Sequence, residues 1–196
     1  MYPAAVFGRV AGRNAEAADP EVRCTIYPSL NMSHGHGKMG MDLARSVIET
    51  EDIICFVCRE GTGELGSLSF FVHAVPQWRT AFDVDFTMLR REGSAMNLTV
   101  RVETLCAPAS GTEPDTEAAT GTLAVPAGQA LICSRRCVFS TGQLGSDGAR
   151  RPGFHASDDG GVADVQWMQL VLSTTGTVDK DLQILSIRLS FPLLIR

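Results

Sequence analysis

Long apolar runs are absent from this sequence of 196 residues, and neither sign of charge dominates it. No stretch approaches the roughly 20 consecutive apolar residues that a membrane-spanning helix needs, so we expect no membrane association. Residues 1–20 have neither the basic start nor the long apolar core of a signal peptide, and we expect a cytosolic origin. The net charge of −5 argues against a protein that binds nucleic acid through an extended basic surface.

The short motifs of common catalytic and nucleotide-binding sites are also absent. The sequence contains no G-x-S-x-G nucleophile elbow, no phosphate-binding P-loop and no dinucleotide-binding glycine pattern. Asp158 and Asp159 are adjacent carboxylates beside two glycines, which is typical of a solvated loop rather than of an acid–base pair. We therefore expect no catalytic residue, no cofactor and no enzymatic activity.

Residues 34–36, His-Gly-His, are the best candidate for a metal site. Alternate residues of a strand point to the same face, so two such imidazoles can bind one ion. A cupin site also needs a Glu four or five residues later, where this sequence has Gly40 and Met41. Cys55 and Cys58 lie three residues apart and face opposite sides of a strand, so they cannot share a metal. We expect no metal site and six reduced cysteines.

Lysine is scarce, since only Lys38 and Lys180 are lysines among 17 basic residues. Arginine suits interfaces because its planar guanidinium pairs bidentately with carboxylates and phosphates. Biased codon usage explains the same excess equally well, so the composition favours neither interpretation.

Strict alternation of apolar and polar residues is the clearest positive signal. Phe82, Val84, Phe86 and Met88 are apolar, and polar residues stand between them. The same pattern continues through 96–103. Half-buried antiparallel strands produce this period of two, whereas helices do not. We therefore expect two packed antiparallel sheets with the four apolar side chains in the core.

Weaker strand patterns and a few irregular segments complete the chain. The apolar phase of the last strand shifts between Ile184 and Leu185, which predicts a β-bulge. The positions of Met41, Ala44, Val47 and Ile48 predict one short helix. Residues 1–20 form an expected N-terminal arm, and residues 107–120 and 140–161 form expected surface loops. One domain over 1–196 follows, an all-β sandwich of jelly-roll type with about eight strands.

The stretch GSLSFFVHAVPQWRTAFDVDF resembles the region before and into strand D of coat proteins from picorna-like viruses. There an apolar segment crosses the domain, an aromatic residue precedes a basic one, and an alternating strand begins. Trp78 and Arg79, followed by Phe82, match this arrangement, and we expect them to anchor the start of the strand. The expected strands then follow jelly-roll order from B to I, with the helix between B and C. They begin near Val22, Asp52, Arg79, Ala95, Gly121, Ala130, Val165 and Leu182.

The length is similar to that of the small coat protein of plant comoviruses and fabaviruses, in the secovirid group. The resemblance implies a structural subunit of a non-enveloped icosahedral virion that is assembled in the host cytoplasm. It also implies two partners, a large coat protein with two jelly rolls and symmetry copies of this chain. Arg9 and Arg13 are offset by Glu16 and Asp19, so we expect only weak or indirect contact with the encapsidated RNA.

The last two predicted strands contain more apolar residues than one core face needs. Such an excess is typical of an interface, because exposed apolar patches usually mark a binding surface. The interface candidates are Trp167, Met168, Leu170, Leu172 and Phe191.

Two functions of other classes remain as alternatives. The first is a β-sandwich module that binds a glycan or another ligand, which would need aromatic side chains in its loops. The long loops contain only one, Phe154. The second is a cupin-like metalloprotein, which would need the missing Glu near residues 34–36.

Overall fold

The computed structural model describes residues 21–26, 40–45, 52–58, 60–73, 80–106, 115–128, 131–155, 165–180 and 182–193. Within these ranges all regular secondary structure is β-strand. No helix in the described part of the chain is long and apolar enough to cross a membrane. The protein is therefore all-β over the residues that can be assigned.

The described residues form strands of 2 to 14 residues. In chain order they are β1 (Glu21–Ile26), β2 (Gly40–Arg45), β3 (Asp52–Cys58), β4 (Gly61–His73), β5 (Asp83–Arg90), β6 (Met96–Cys106), β7 (Asp115–Val125), β8 (Leu131–Arg136), β9 (Val138–Phe139), β10 (Gln143–Leu144), β11 (Arg150–Arg151), β12 (Val165–Val178) and β13 (Leu182–Pro192).

Two main sheets face each other. Sheet A has the order β2-β3-β13-β5-β8, and β1 also pairs with β13. Sheet B has the order β4-β12-β6-β7-β9, and β10 and β11 form a separate short hairpin. All pairings are antiparallel. One apolar core contains side chains from both sheets, so the architecture is that of a β-sandwich.

The alternating apolar residues of β5 and β6 face the core, as the sequence predicts. Phe82, Val84, Phe86 and Met88 are fully buried in the common core. In β6, Val100 is buried in the same way, while Arg101 beside it is exposed. The expectation of packed antiparallel sheets with these side chains inside is confirmed.

The predicted bulge in the last strand is confirmed. The register of β13 against β5 shifts between Ile184 and Ser186, which leaves Leu185 as the extra residue. Ile184 and Ile187 consequently both reach the core, although three positions separate them. The bulge explains why the apolar phase of this strand changes midway.

The helix expected at 41–48 is wrong over the residues that the structure describes. Gly40–Arg45 is strand β2, which pairs with β3 from Gly40 opposite Val57 onward. Pairing with β3 satisfies part of the backbone hydrogen bonding of β2, and such pairing outweighs a weak helical pattern. Residues 46–48 lie outside the described residues.

The loop expected at 107–120 is shorter than predicted. Residues 115–120 belong to β7 and pair with β6, with Asp115 opposite Cys106 and Thr120 opposite Arg101. This part of β7 is built from small, acidic and hydroxyl residues, so it lacks the apolar alternation that reveals a strand. Residues 107–114 lie outside the described residues.

Strand β4 (Gly61–His73) has no counterpart among the expected strands. Its first half, GTGELGS, is rich in glycine and lacks the β-branched apolar residues that mark strands. The strand expected near Asp52 is β3, which pairs with β13 in sheet A. β4 is therefore the first strand of sheet B, both along the chain and in the order of the sheet.

The segment at 150–155 returns to the start of β5 and closes the core there. The amide of Phe82 donates a hydrogen bond to Pro152 O at 3.1 Å, and the amide of Phe154 donates one to Thr80 O at 2.8 Å. The Phe154 ring is fully buried and stacks on Phe82 at 4.7 Å and on Phe191 at 5.5 Å between centroids. The one aromatic residue of the predicted long loops is therefore a core residue.

Truncating this ring tests the closure. We expect Phe154→Ala to lower the free energy of unfolding by about 3–5 kcal/mol, because it removes a buried ring and leaves a cavity. Leu144→Ala is the matched control, since Leu144 lies in the same segment but is 62% exposed. We expect a change below about 0.5 kcal/mol for it in the same urea titration. Equal effects of the two substitutions would contradict the burial of Phe154.

Candidate interaction surface

Four of the five interface candidates lie inside the domain. Met168, Leu170, Leu172 and Phe191 are fully buried and belong to the common core. They cannot form a partner surface, because the opposite sheet of the same chain already covers them. The apolar excess of β12 and β13 therefore reflects core packing at these positions.

Trp167 is the remaining candidate, and it lies on the outer face of sheet B. Its neighbours in register are Leu105 of β6 and Phe71 of β4. Trp167, Leu105 and Val171 are each partly exposed. An interface role for Trp167 stays a prediction. Trp78 and Arg79, the expected anchor of strand D, lie outside the described residues.

The outer face of sheet A carries a ladder of paired charges. Asp85 of β5 lies opposite Arg188 of β13 on one side and Arg136 of β8 on the other. Arg136 Nε donates to Asp85 Oδ1 at 3.0 Å, and an Nη of Arg188 donates to Asp85 Oδ2 at 2.8 Å. The Asp85 side chain is only 5% exposed, so the two arginines satisfy an otherwise costly buried carboxylate.

Asp83 extends this ladder to the hairpin of β10 and β11. One oxygen of Asp83 accepts from Arg136 at 3.0 Å, and the other accepts from Arg151 Nε at 2.7 Å. Arg151 also forms a bidentate pair with Asp147, with both distances at 2.7 Å. Three arginines thus bind three aspartates, and the ladder is neutral.

The electrostatics of the ladder favour ion pairs over acid–base chemistry. Burial alone raises the pKa of Asp85, but hydrogen bonds and charge from Arg136 and Arg188 outweigh it and hold the pKa below its ordinary value. Hydrogen bonding to Asp85 likewise raises the pKa of Arg136. The Arg151 side chain lowers the pKa of Asp147. These carboxylates therefore remain ionised at neutral pH, which suits a structural role.

Arg90 connects three turns at one end of the sandwich. Its side chain is 2% exposed. It donates to the carbonyl oxygen of Glu92 at 2.9 Å, to that of Pro126 at 3.3 Å and to Asp179 Oδ1 at 3.1 Å, and it also donates to the carbonyl of Ser94. These acceptors belong to the β5–β6, β7–β8 and β12–β13 connections.

Gly93 allows the close approach of the first turn to Arg90. Its φ of 99° lies in the left-handed region, and a Cβ there would collide with the guanidinium of Arg90. The carbonyl of Gly93 also accepts a hydrogen bond from the amide of Gly128 at 2.9 Å. One end of the domain is thus held together by a buried cation and the turns around it.

A third surface runs along β8, β9 and β10. The exposed large apolar residues of the described part of the chain all lie here: Ile132 at 51%, Val138 at 70% and Leu144 at 62% exposed. Arg135 and Arg150, also exposed, bind the carbonyl oxygens of Ser134 and Gly142, which do not neutralise their charge. We call this surface, residues 131–150, the basic edge.

The cysteines lie where packing explains them. Cys55 packs with Val57 on one face of β3, whereas Cys58 belongs to the common core on the other, as their spacing predicts. Burial raises the pKa of the Cys137 thiol to about 12, so it stays protonated at neutral pH. Among the described residues no group of three or more His, Cys, Asp and Glu side chains could hold a metal ion. Residues 34–36 lie outside them.

Sequence patterns alone do not reveal Arg90 or the paired charges. The polar positions of β5 indicate an outward face, but pairing Asp85 with Arg136 and Arg188 requires the order and register of three strands that are distant in sequence. The turn between 90 and 95 reads only as a charged loop, although its first arginine is buried. No local signal distinguishes a buried arginine from an exposed one.

Arg90 can be tested by removing its donors. We expect Arg90→Met to lower the free energy of unfolding by about 2–4 kcal/mol, because several carbonyl oxygens and Asp179 lose a buried partner. Arg101→Met is the control, since the Arg101 side chain is 57% exposed and we expect a change below about 0.5 kcal/mol. Chemical denaturation at neutral pH measures both. A mild effect of Arg90→Met would show that the turns hold together without it.

The ion pairs of Asp85 predict that the folded protein loses stability in acid. Because its pKa is lowered in the folded protein, its stabilising effect is present above the ordinary pKa of the unfolded chain, about 3.9, and disappears as the pH falls through the folded value. We expect Asp85→Asn to be about 1–3 kcal/mol less stable than the parent at pH 7, and this difference to shrink below about pH 4. Thermal unfolding between these pH values measures it.

The exposed carboxylate variant Glu64→Gln controls for the general effect of removing a negative charge. We expect its difference from the parent to stay small throughout the titration. If the gap between Asp85→Asn and the parent were constant with pH, the ion pairs of Asp85 would not contribute as described.

No family model matches the sequence, and no curated protein is significantly similar to it. The interpretation of function therefore depends on strand order, packing and surface chemistry.

Proposed function

We propose that this chain is a jelly-roll coat subunit of a non-enveloped icosahedral virus of the picorna-like kind. The order in which the strands pair carries the proposal. A jelly roll is a long antiparallel hairpin of eight strands wound into two sheets. Its first strand therefore pairs with the eighth, the second with the seventh, the third with the sixth and the fourth with the fifth.

Several observed pairs support this assignment. The central pair is β6 with β7, the next outward is β5 with β8, and the next is β4 with β12. The last strand, β13, pairs with both β1 and β3. Two further pairings, β13 with β5 and β12 with β6, would join such a wound hairpin into two sheets.

The first jelly-roll strand would then be made of two pieces. β3 pairs with β13 at Leu182–Ile184, and β1 pairs with it from Ile187 to Pro192. Since β5 occupies the other side of β13 over both parts, β1 and β3 share one side. In this assignment β4 is strand C. The strand near Asp52, which was expected to be strand C, is then part of strand B.

The surface chemistry favours a structural subunit over the two alternatives. A glycan-binding loop would present an aromatic side chain, but Phe154 is buried in the core. The described carboxylates of the ladder are neutralised by arginines, which suits fixed geometry. Arg90 stiffens one end of the domain, and a subunit that repeats around a symmetry axis needs such a fixed shape.

The proposed partners are a large coat protein with two jelly rolls and symmetry copies of this chain. The virion is the proposed location, with assembly in the host cytoplasm. RNA contact is weak or indirect in this proposal, since the net charge is −5. The proposed function includes no enzymatic activity and needs no cofactor.

Co-expression tests this function directly. The chain is produced alone and together with the large coat protein encoded by the same genome, and both preparations are examined by sedimentation and negative-stain electron microscopy. We expect closed icosahedral particles that contain both proteins only in the second case. Trp167→Ala should reduce the particle yield, whereas the matched change Thr122→Ala on the same face should not. A stable monomer that never enters particles would refute the proposal.

A further inference from the structure

The tip of the β10–β11 hairpin contains an aspartate that is followed directly by a glycine. Residues 145–148 form a tight turn, in which the amide of Gly148 donates a hydrogen bond to Gly145 O at 3.0 Å. Gly148 has a φ of 77°, and nothing would lie within 4 Å of a Cβ at this position. The Asp147 side chain is 56% exposed. Water therefore reaches the Asp147–Gly148 bond, and no neighbouring side chain shields it.

An aspartate before a glycine can rearrange without an enzyme. The backbone nitrogen of the glycine attacks the side-chain carboxyl carbon. A C–N bond forms, the C–OH bond breaks, and the hydroxyl leaves as water with the amide proton, which closes a succinimide ring. Water then opens the ring, and attack at the former backbone carbonyl gives isoaspartate, whose main chain is one methylene longer. The first step needs a protonated carboxyl group and an amide that can turn toward it, and glycine hinders this least.

The folded chain blocks both requirements. Nη1 and Nη2 of Arg151 donate to the two carboxylate oxygens of Asp147, each at 2.7 Å, and the amide of Ala149 donates to Oδ1 at 3.0 Å. These hydrogen bonds hold the pKa of the Asp147 carboxyl well below its ordinary value, so the group is ionised at neutral pH. The Gly148 amide is meanwhile held by Gly145 O.

Arg151 is a fixed donor rather than a loose surface arginine. Its side chain is only 15% exposed, and its Nε donates to Asp83 Oδ1 at 2.7 Å, which leaves Nη1 and Nη2 for Asp147. A Cβ at residue 145 would collide with the guanidinium of Arg151, so the glycine there makes room for it. Because Asp83 already orders the arginine, its pair with the exposed Asp147 costs less side-chain entropy than an ordinary surface ion pair.

We propose that Asp147–Gly148 is a latent site of isoaspartate formation, and that Arg151 protects it while the hairpin is closed. This chemistry does not depend on the coat-protein function. Opening of the hairpin removes the arginine and the Gly145 acceptor together, so the modification accumulates with the time that the hairpin spends open. The added methylene also displaces Gly145 from Ala149, whose backbone hydrogen bond of 2.8 Å closes the turn, so that the modified hairpin cannot close in the same way.

Storage of the full chain at neutral pH tests the protection. Isoaspartate at Asp147 is followed by peptide mapping with mass spectrometry, which separates it from the other Asp-Gly pair of the sequence, Asp159–Gly160. We expect Asp147 to rearrange at least about tenfold more slowly in the folded chain than in guanidinium chloride, because each unit by which a pKa falls lowers the protonated fraction tenfold.

Substitution of the arginine tests its role. We expect Arg151→Met to speed the rearrangement of the folded chain about tenfold, because Asp147 then regains a protonated fraction at neutral pH. Arg150→Met is the matched control, since Arg150 donates to Gly142 O instead, and we expect the parental rate. Asp147→Glu added to Arg151→Met should remove the signal, because the longer side chain cannot form the five-membered ring.

A further control separates the arginine from general loosening of the hairpin. Gln143 Nε2 donates to Phe154 O at 3.1 Å at the base of the hairpin, so Gln143→Leu weakens the closure but keeps Arg151. We expect its rate to be parental. If circular dichroism shows that Arg151→Met does not fold, Arg151→Lys replaces it. Lysine keeps a cation beside Asp83 but lacks the planar fork, and we expect faster rearrangement than in the parent.

Three results would overturn the proposal. In the first, Asp147 rearranges as fast in the folded parent as in guanidinium chloride. In the second, the folded arginine variant rearranges at the parental rate. In the third, Gln143→Leu is as fast as the arginine variant, which would assign the protection to closure of the hairpin rather than to Arg151.

Discussion

Two sheets that are each apolar on one face must bury those faces against each other, and the rest of this structure depends on that constraint. Phe86 of β5 and Val100 of β6 lie in the resulting layer, and both are fully buried. Phe154 closes the layer beside Phe82 and Phe191. Because neighbouring residues of a strand alternate between faces, the same constraint assigns every second residue to the outside. The outward positions can therefore carry charge, as Asp85, Arg136 and Arg188 do on sheet A.

The outward charges specify register more than they drive folding. A buried or half-buried ion pair contributes little net stability compared with apolar packing, because desolvation offsets the attraction. Asp85, however, meets Arg136 and Arg188 only in the observed alignment of β8, β5 and β13. A slip of one residue would move the arginines to the core face. The ladder and Arg90 thus disfavour alternative alignments and fix the turns at one end, which suits the coat subunit that we propose.

The sequence predicts the strands whose two faces differ in chemistry. β5 and β6 have bulky apolar residues on one face and polar ones on the other, and the shift at Ile184 and Leu185 reveals the bulge. Strands β2 and β4 escape prediction because their residues are small, glycine-rich or mixed, so that pairing with neighbouring strands decides their structure.

The candidate surfaces are less predictable than the strands. An excess of apolar residues in β12 and β13 cannot show which side chains the opposite sheet covers, and four of the five interface candidates are in fact covered. Arg90 and the basic edge become visible only when strand order is known, because burial and edge position are properties of the assembled sheets.

The proposed fold and function depend on one claim. It is that β13 pairs with β1, β3 and β5, and that β12 pairs with β4 and β6. Amide hydrogen exchange of the folded chain tests it most directly. β12 and most of β13 are paired on both sides, so we expect amides in 166–173, 183–184 and 187–190 to exchange only through global unfolding, while those of the edge strands β8 and β9 exchange faster. Rapid exchange in β13, at the rate of the edge strands, would contradict the pairing and with it the wound hairpin.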